Sequence, residues 1–208
     1  MLLRDFLPSA TPDFSPGAAA RWPAALSSAC GASEGDPPYR ETRSLFAYTG
    51  DVRTAILSSK YTGRPFPARA TAQRLQEALQ GPWKDLFSDG LAPVIVPIPI
   101  HPVKYFRRGF NLPALIGVEL ARLMAWPYDP VALHRRPERL PQASLPLKDR
   151  EANIKDAFFV PEGKNAAPRV LLLDDVLTTG ATCAAAATAL KRAGVKHITV
   201  VTIASAFP

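Results

Sequence analysis

Three apolar segments of the chain are rich in β-branched residues and are long enough to form buried strands. They are the segment 92–100, the segment from Arg169 to Leu173 and the segment 197–204. Strands of a parallel sheet are covered on both faces, so that they appear in a sequence as continuous apolar runs. An alanine-rich segment with helical periodicity, 181–194, joins the second run to the third. We therefore predict a βαβ unit with a right-handed crossover.

Helical spacing of apolar residues predicts three further helices. A strand-like stretch at 45–48 is followed, after a turn, by apolar residues at helical spacing. The segment 68–80 has one apolar face and ends at Gly81. A third helix begins after Asn111, its predicted N-cap. Alternating strands and helices predict an α/β fold in which helices flank a parallel sheet.

Two parts of the chain lack such periodicity. Residues 1–44 contain six prolines, and we predict that they form an irregular N-terminal extension to a domain that spans 45–208. Residues 134–155 are polar and basic and have no apolar pattern. A loop of this length inside a compact domain is usually functional or disordered.

The composition is that of a folded protein, with 47% hydrophobic and 21% charged residues, and excludes wholesale disorder. Lysine and arginine exceed the acidic residues by 25 to 18, which favours nucleic acid, phosphates or an acidic surface as partners. Two distant cysteines, Cys30 and Cys183, make neither a disulfide framework nor a four-cysteine zinc site. Neither a signal-peptide core nor a run long enough to span a bilayer is present, so we predict a cytoplasmic protein without membrane insertion.

The segment 170–182, VLLLDDVLTTGAT, carries the candidate chemistry. A buried strand delivers Asp174 and Asp175 at its carboxyl end, where open α/β sheets bind their ligands. The turn that follows leads into a helix, whose free N–H groups suit a phosphate monoester. The turn consists of Thr178, Thr179, Gly180, Ala181 and Thr182. Because the acids would repel a phosphate, they should face ligand hydroxyls or a bound cation. The alternative is an ordinary βα junction with two solvated aspartates and a threonine N-cap.

This segment resembles the signature with which type I phosphoribosyltransferases bind 5-phosphoribosyl-1-pyrophosphate (PRPP). Three further stretches resemble the ComF-like branch of that superfamily, which includes proteins required for natural transformation: SKYTG (59–63), VPIPIHPVKYFRRGFN (96–111) and QASLPLKDREAN (142–153). The resemblance covers roughly residues 45–204 and implies a type I phosphoribosyltransferase fold with a small hood formed by 134–155. Members often begin with a four-cysteine zinc ribbon. Here Cys30 stands alone in that region, and no zinc is expected.

The resemblance also implies roles for individual residues. Asp174 and Asp175 would hold the two ribose hydroxyls of PRPP, while the turn 178–182 would wrap its 5′-phosphate. Mg²⁺ would be held mainly by the pyrophosphate and the ribose rather than by the protein. Arg150 in the hood would reach the phosphates when the hood closes, which completes the predicted catalytic set of Asp174, Asp175 and Arg150. The family usually has glutamine after Asn111, where this chain has Leu112.

The basic segment 97–111 follows a buried strand and is predicted to be a loop. Its Arg107, Arg108 and Gly109, together with Lys60, are candidates to stabilise a departing pyrophosphate. The alternative is a solvated basic surface at both places. His101 is either an acid–base group or an ordinary loop histidine, and the second interpretation is favoured.

Aromatic residues accompany these cations. Tyr105 or Phe106 could stack on the bases of single-stranded DNA, because bases stack on aromatic rings irrespective of sequence. We nevertheless expect each aromatic residue of this segment to belong to the core. Cys183 is expected to pack as a small apolar residue.

Three functions fit these features. The first is a PRPP-binding competence protein that also binds single-stranded DNA and interacts with other competence or DNA-processing proteins. The second is a phosphoribosyltransferase of nucleotide metabolism that transfers phosphoribose from Mg-PRPP to an unidentified acceptor. The third is a PRPP-responsive regulator without catalysis. The resemblance to the ComF-like branch favours the first.

Overall fold

A computed structural model of the chain describes residues 37–62, 66–137 and 156–207, together with the backbone of one strand before them. Within these residues a five-stranded sheet has the order β1-β2-β7-β6-β3. Its strands are β1 (Ala24–Ser27), β2 (Glu41–Ala47), β3 (Val94–Pro97), β6 (Arg169–Leu177) and β7 (His197–Ser205). Four strands are parallel, and β1 adds an antiparallel edge. The predicted α/β class with a parallel sheet is confirmed.

Helices cover both faces of the sheet. The helices α1 (Gly50–Thr62), α2 (Ala68–Gln80) and α4 (Leu112–Met124) share one apolar core with Leu171 and Leu173 of β6. The helix α5 (Ala181–Arg192) shares the other core with Val170 and Leu172. Successive side chains of a strand point to opposite faces, so the continuous apolar run of β6 supplies both cores.

The predicted βαβ unit is present, because α5 connects β6 to its parallel neighbour β7. However, β6 continues to Leu177 instead of ending at Leu173. The reason lies in its neighbours: the ladder with β3 ends at the pair Pro97 and Leu173, whereas the ladder with β7 continues to Leu177. The aspartate pair therefore lies within β6, on a stretch that only β7 still holds.

The helix predictions are largely confirmed. The bounds of α2 agree with the predicted segment 68–80, and α1 and α4 lie where the periodicity placed them. The strand predicted at 45–48 is β2 and begins earlier, at Glu41. Asn111 occupies the predicted N-cap position of α4, but its side chain makes no capping hydrogen bond and donates instead to the Ile98 carbonyl oxygen at 3.0 Å. Pro113 occupies the first turn of α4 and has no N–H for a cap to bind.

The segment 97–111, predicted as a loop, contains the short helix α3 (Pro102–Arg108). The Nδ1 atom of His101 accepts a hydrogen bond from the Val103 N–H at 3.2 Å and caps the helix. Gly109 ends it in the left-handed region at φ 77°. These are standard boundary signals, but the prolines and charges of the segment hid them. The capping contact agrees with an ordinary structural histidine.

Several predictions fall on residues outside the described part. Of the hood segment 134–155 only residues 134–137 are described, and their strand β4 (His134–Arg135) forms an antiparallel ribbon with β5 (Phe158–Phe159), which follows the segment. Arg150 and Cys30 lie outside the described residues. The strand β1 and the start of β2 belong to the predicted extension 1–44. Among the described residues no helix combines the length and the apolar character needed to cross a membrane.

Gly117 tests the close packing of α4 on the sheet. A Cβ atom added there would lie 3.0 Å from Cε2 of Tyr128 and 3.5 Å from Cγ2 of Ile95. We expect Gly117→Val to lower the free energy of unfolding by about 1–3 kcal/mol, because extra methyl groups overpack the core. Urea unfolding measures the change. Leu115→Val, on the exposed side of the same helix, is the control, and an equal loss in both variants would contradict the packing argument.

A candidate anion-binding site at the carboxyl edge of the sheet

The site is centred on the end of β6, beyond the point where β3 stops pairing. The amide of Ile98 makes the last contact from that side, to the Leu173 carbonyl oxygen at 2.8 Å. Asp174 and Asp175 follow directly. Because consecutive side chains of a strand point to opposite faces, one carboxyl group is directed toward α5 and the other toward α1. The two acids thus meet different partners.

Asp175 forms an ion pair with Lys60. The Lys60 Nζ atom lies 2.6 Å from Oδ2 of Asp175, and the two side chains are only 15% and 14% exposed. Lys60 belongs to the last turn of α1, a helix that begins at the end of β2, two strands away from β6. The helix α1 therefore lies across the carboxyl edge of the sheet. Removing one partner would leave the other charge largely desolvated, which is strongly unfavourable.

Asp174 has two hydrogen-bond donors beside it, a backbone N–H and a thiol. Its Oδ1 atom accepts the Asp175 N–H at 2.8 Å, and its Oδ2 atom lies 3.8 Å from the thiol of Cys183 on α5. Burial, and then the neighbouring Asp175 carboxylate, raise the pKa of Asp174 to about 7. Burial also raises the pKa of the Cys183 thiol, which keeps it a hydrogen-bond donor. Cys183 is buried as predicted, and its thiol also contacts Asp174, one of the predicted ligand-binding residues.

The turn after the acids forms the start of α5. Gly180 occupies the N-cap position in the left-handed region, at φ 78°, where a side chain would be strained. The Oγ1 atom of Thr179 accepts the Ala181 N–H at 3.4 Å. Thr178 and Thr179 are exposed, whereas Gly180 is buried and Ala181 is half-buried. A turn with exposed threonine hydroxyls that leads into a helix start has the features of an anion site.

The helix α3 presents an exposed surface of aromatic and basic side chains. Phe106 is 91% exposed and Tyr105 is 54% exposed, which makes the expectation that they belong to the core wrong. No residue of α3 is buried, and its last turn carries Arg107 and Arg108. The helix is defined by its caps rather than by packing, so its aromatic rings remain in solvent. We call this set, Tyr105, Phe106, Arg107 and Arg108, the α3 surface.

Tyr61 connects the α3 surface to the acid pair. The guanidinium carbon of Arg108 lies 5.5 Å from the centre of the Tyr61 ring, within the range of a cation–π contact. Tyr61 follows Lys60, so adjacent residues of α1 contact Arg108 and Asp175. The sequence analysis missed Tyr61, although its place in the SKYTG stretch was the available signal. Leu112, where the family usually has glutamine, is buried in the core.

The raised pKa of Asp174 predicts a dependence of stability on pH. Between its ordinary value of 3.8 and about 7, the folded protein binds more protons than the unfolded chain. The free energy of unfolding should therefore fall as the pH rises through this range. The asparagine of Asp174→Asn resembles the protonated form of the aspartate. We therefore expect the free energy of unfolding of this variant to be higher than that of the native protein by about 2 kcal/mol above neutral pH, and to equal it near pH ~4.

Urea unfolding at the two pH values measures this effect. Asp85→Asn removes an exposed carboxylate from the 3-10 helix Lys84–Phe87, before β3, and serves as the control. If the difference between Asp174→Asn and the native protein were the same at both pH values, the proton on Asp174 would be excluded as its cause.

Comparison with known proteins gives several relatives, although no protein-family model matches the chain. It is 36% identical over 112 residues to "Competence protein F" of Haemophilus influenzae, which covers 53% of this chain and 49% of that protein. It is 30% identical over 165 residues to "DNA utilization protein YhgH" of Salmonella typhimurium, covering 79% and 71%. It is 28% identical over 160 residues to "Competence protein ComFC" of Streptococcus pneumoniae, covering 75% and 64%.

The extent of these matches differs. The chain spans about half the length of the Haemophilus protein and about two thirds of the other two. The match to the Salmonella protein reaches 30% identity over more than two thirds of both chains, which is sufficient to establish kinship. The sequence resemblance to the ComF-like branch is thereby confirmed, and the chain belongs to the ComF-like family.

Proposed function

We propose that this chain is a PRPP-binding protein of the ComF type, with a type I phosphoribosyltransferase fold and a role in competence and DNA uptake. The observation that carries the proposal is the turn at the start of α5, with its two exposed threonines, separated by two residues from an acid pair near the carboxyl end of a central parallel strand. This arrangement offers an anion site and hydrogen-bond acceptors side by side. PRPP needs both, because its ribose carries two hydroxyls and a 5′-phosphate.

The ribose would bind at the acid pair. The hydroxyls of a ribose donate hydrogen bonds, and the carboxylate oxygens of Asp174 and Asp175 accept them. The 5′-phosphate would occupy the turn 178–182, where N–H groups of α5 and threonine hydroxyls are donors. The ammonium of Lys60 shows that the Asp175 position accommodates a donor at 2.6 Å. Mg²⁺ enters with its substrate and would neutralise pyrophosphate charge.

The pyrophosphate would face the basic side of the site. Lys60 already lies at the acid pair, and Arg108 adjoins it through Tyr61. Arg107 is next to Arg108 at the end of α3, and Arg150 would approach from the hood. Cations in these positions stabilise negative charge on a departing pyrophosphate. The Gly109 N–H is engaged within the helix, because it donates to the Tyr105 carbonyl oxygen at 2.7 Å.

The acid pair provides the direct test. We expect the double variant Asp174→Asn with Asp175→Asn to lose measurable PRPP binding, because an amide offers one acceptor where a carboxylate offers two and carries no charge. Isothermal titration calorimetry with Mg-PRPP measures the affinity, and circular dichroism verifies the fold. Asp85→Asn should bind like the native protein. Unchanged affinity in the double variant would refute the assignment of PRPP to this site.

A phosphoribosyltransferase of nucleotide metabolism is the second candidate, favoured by the same cations near the acid pair. It is distinguished by turnover: the native protein would release pyrophosphate from PRPP in the presence of an acceptor base or amine. A panel of bases and amines, with a coupled pyrophosphate assay, separates this enzyme from a protein that only binds PRPP.

A role with DNA is supported by two independent features. Relatives carry the names "Competence protein F" and "DNA utilization protein YhgH", which refer to DNA uptake or use. The α3 surface combines exposed aromatic rings with two arginines, the combination that binds single-stranded nucleic acid without sequence preference. The formal charge of +7 adds a general attraction for phosphates. We therefore assign single-stranded DNA to the α3 surface.

Removing the rings should weaken this binding. We expect Tyr105→Ala with Phe106→Ala to reduce the affinity for an oligothymidylate by at least ~10-fold, because stacking on one ring contributes about 1–3 kcal/mol. Fluorescence anisotropy at about 50 mM salt measures the affinity. The fold should be unaffected, since both rings are exposed.

Leu91→Ala is the matched control, because Leu91 is also an exposed apolar residue but precedes β3 at the opposite edge of the sheet. Binding should also fall steeply with rising salt, as phosphate contacts require. Equal losses in the control and the double variant, or no binding by the native protein at low salt, would remove single-stranded DNA from the proposal.

A further inference from the structure

Two adjacent residues of α1 connect the proposed PRPP site to the α3 surface. The ammonium of Lys60 is 2.6 Å from Asp175, and the ring of Tyr61 contacts the guanidinium of Arg108. Both residues belong to the last turn of α1, and a peptide bond joins them directly. A change at one contact is therefore transmitted to the other within a single helical turn.

We propose that PRPP and single-stranded DNA bind this protein antagonistically, because the cations at the end of α3 serve both ligands. This inference rests on the proposed function and adds a regulatory relation between its two ligands. PRPP at the acid pair would lower the affinity for DNA on the α3 surface. By thermodynamic linkage, DNA would lower the affinity for PRPP by the same factor.

Lys60 would respond first to a bound ribose. Its ammonium contacts Oδ2 of Asp175, an acceptor to which a ribose hydroxyl would donate. A hydroxyl that takes this oxygen displaces the ammonium, and a lysine that is only 15% exposed then needs a new anion nearby. The pyrophosphate of PRPP is attached to C1 of the ribose, one carbon away from the 2′-hydroxyl, and supplies that anion. Lys60 exchanges a carboxylate for a pyrophosphate.

Arg108 would respond next. It contacts Tyr61 beside Lys60, and it also belongs to the α3 surface. A pyrophosphate at Lys60 adds several negative charges next to this guanidinium. Phosphates of DNA that approach α3 then encounter repulsion and fewer available cations. Because DNA affinity depends on the number of phosphates neutralised, it falls.

The experiment measures the binding of a fluorescent oligothymidylate to the full chain, with and without saturating Mg-PRPP, at constant ionic strength. We expect PRPP to weaken DNA binding by roughly 5- to 50-fold, a range typical of coupling between sites, and to reduce the salt dependence of binding. Ribose 5-phosphate is the control ligand, since it has the diol and the 5′-phosphate but no pyrophosphate. It should leave DNA affinity unchanged.

Variants of Tyr61 test the physical connection. Tyr61→Ala removes the ring that holds Arg108 beside the site, and we expect the effect of PRPP on DNA binding to decrease. Tyr61→Phe retains the ring and should retain the effect. Lys196→Ala removes an exposed cation just before β7, at the opposite edge of the sheet, and should behave like the native protein.

The outcomes separate this inference from the proposed function. If calorimetry detects no PRPP binding, both fail. If PRPP and DNA both bind and DNA affinity is the same with and without PRPP, only the antagonism is refuted. A loss of DNA affinity that is equally large with ribose 5-phosphate would refute the shared cations as its cause. Absence of DNA binding would refute the antagonism while leaving the PRPP site standing.

Discussion

Two neighbouring carboxyl groups at the desolvated end of a central strand determine the organisation of this edge of the sheet. Both cannot be charged there without compensation, because each disfavours the ionised form of the other. The protein resolves this in two different ways. Asp175 forms an ion pair with the ammonium of Lys60. Asp174 has a raised pKa and accepts a hydrogen bond from the Asp175 N–H. The ion pair between Lys60 and Asp175 attaches the last turn of α1 to the carboxyl edge of the sheet.

The space around the acid pair depends on a second constraint, the early end of β3. Pro97 is the last residue of the strand and Pro99 comes two residues later, and proline has no N–H with which to continue a ladder. The chain then leaves the sheet as α3, and Asn111 attaches the returning segment to the Ile98 carbonyl oxygen. The α3 surface is thus held beside the site without being packed into the core.

These two features explain why motifs that are distant in sequence meet at one place. SKYTG contributes Lys60 and Tyr61, the RGFN stretch contributes Arg108, and the strand-end motif contributes Asp175. They converge because parallel strands present their carboxyl ends on one edge, where each following helix begins. The proposed PRPP site depends on this convergence.

Local patterns were sufficient to predict the central strands and the longer helices of this protein, but not α3 or β1. The apolar runs of β6 and β7, the alanine-rich α5 and the segment 68–80 depend on periodicity and on glycine or proline at their ends, which are properties of neighbouring residues. The order of residues in VLLLDDVLTTGAT similarly predicted the turn between a strand and a helix, although the acids lie within β6 and not at its end. The α/β class followed from these local signals alone.

Contacts between distant residues decided the rest. The extension of β6 past Leu173 depends on where β3 and β7 stop pairing, and the exposure of Phe106 depends on what α3 fails to contact. The pairing of Lys60 with Asp175 joins residues more than a hundred positions apart. The residues next to Lys60 or Asp175 in the sequence do not predict this contact. It forms only because the strand order places the end of α1 beside the end of β6.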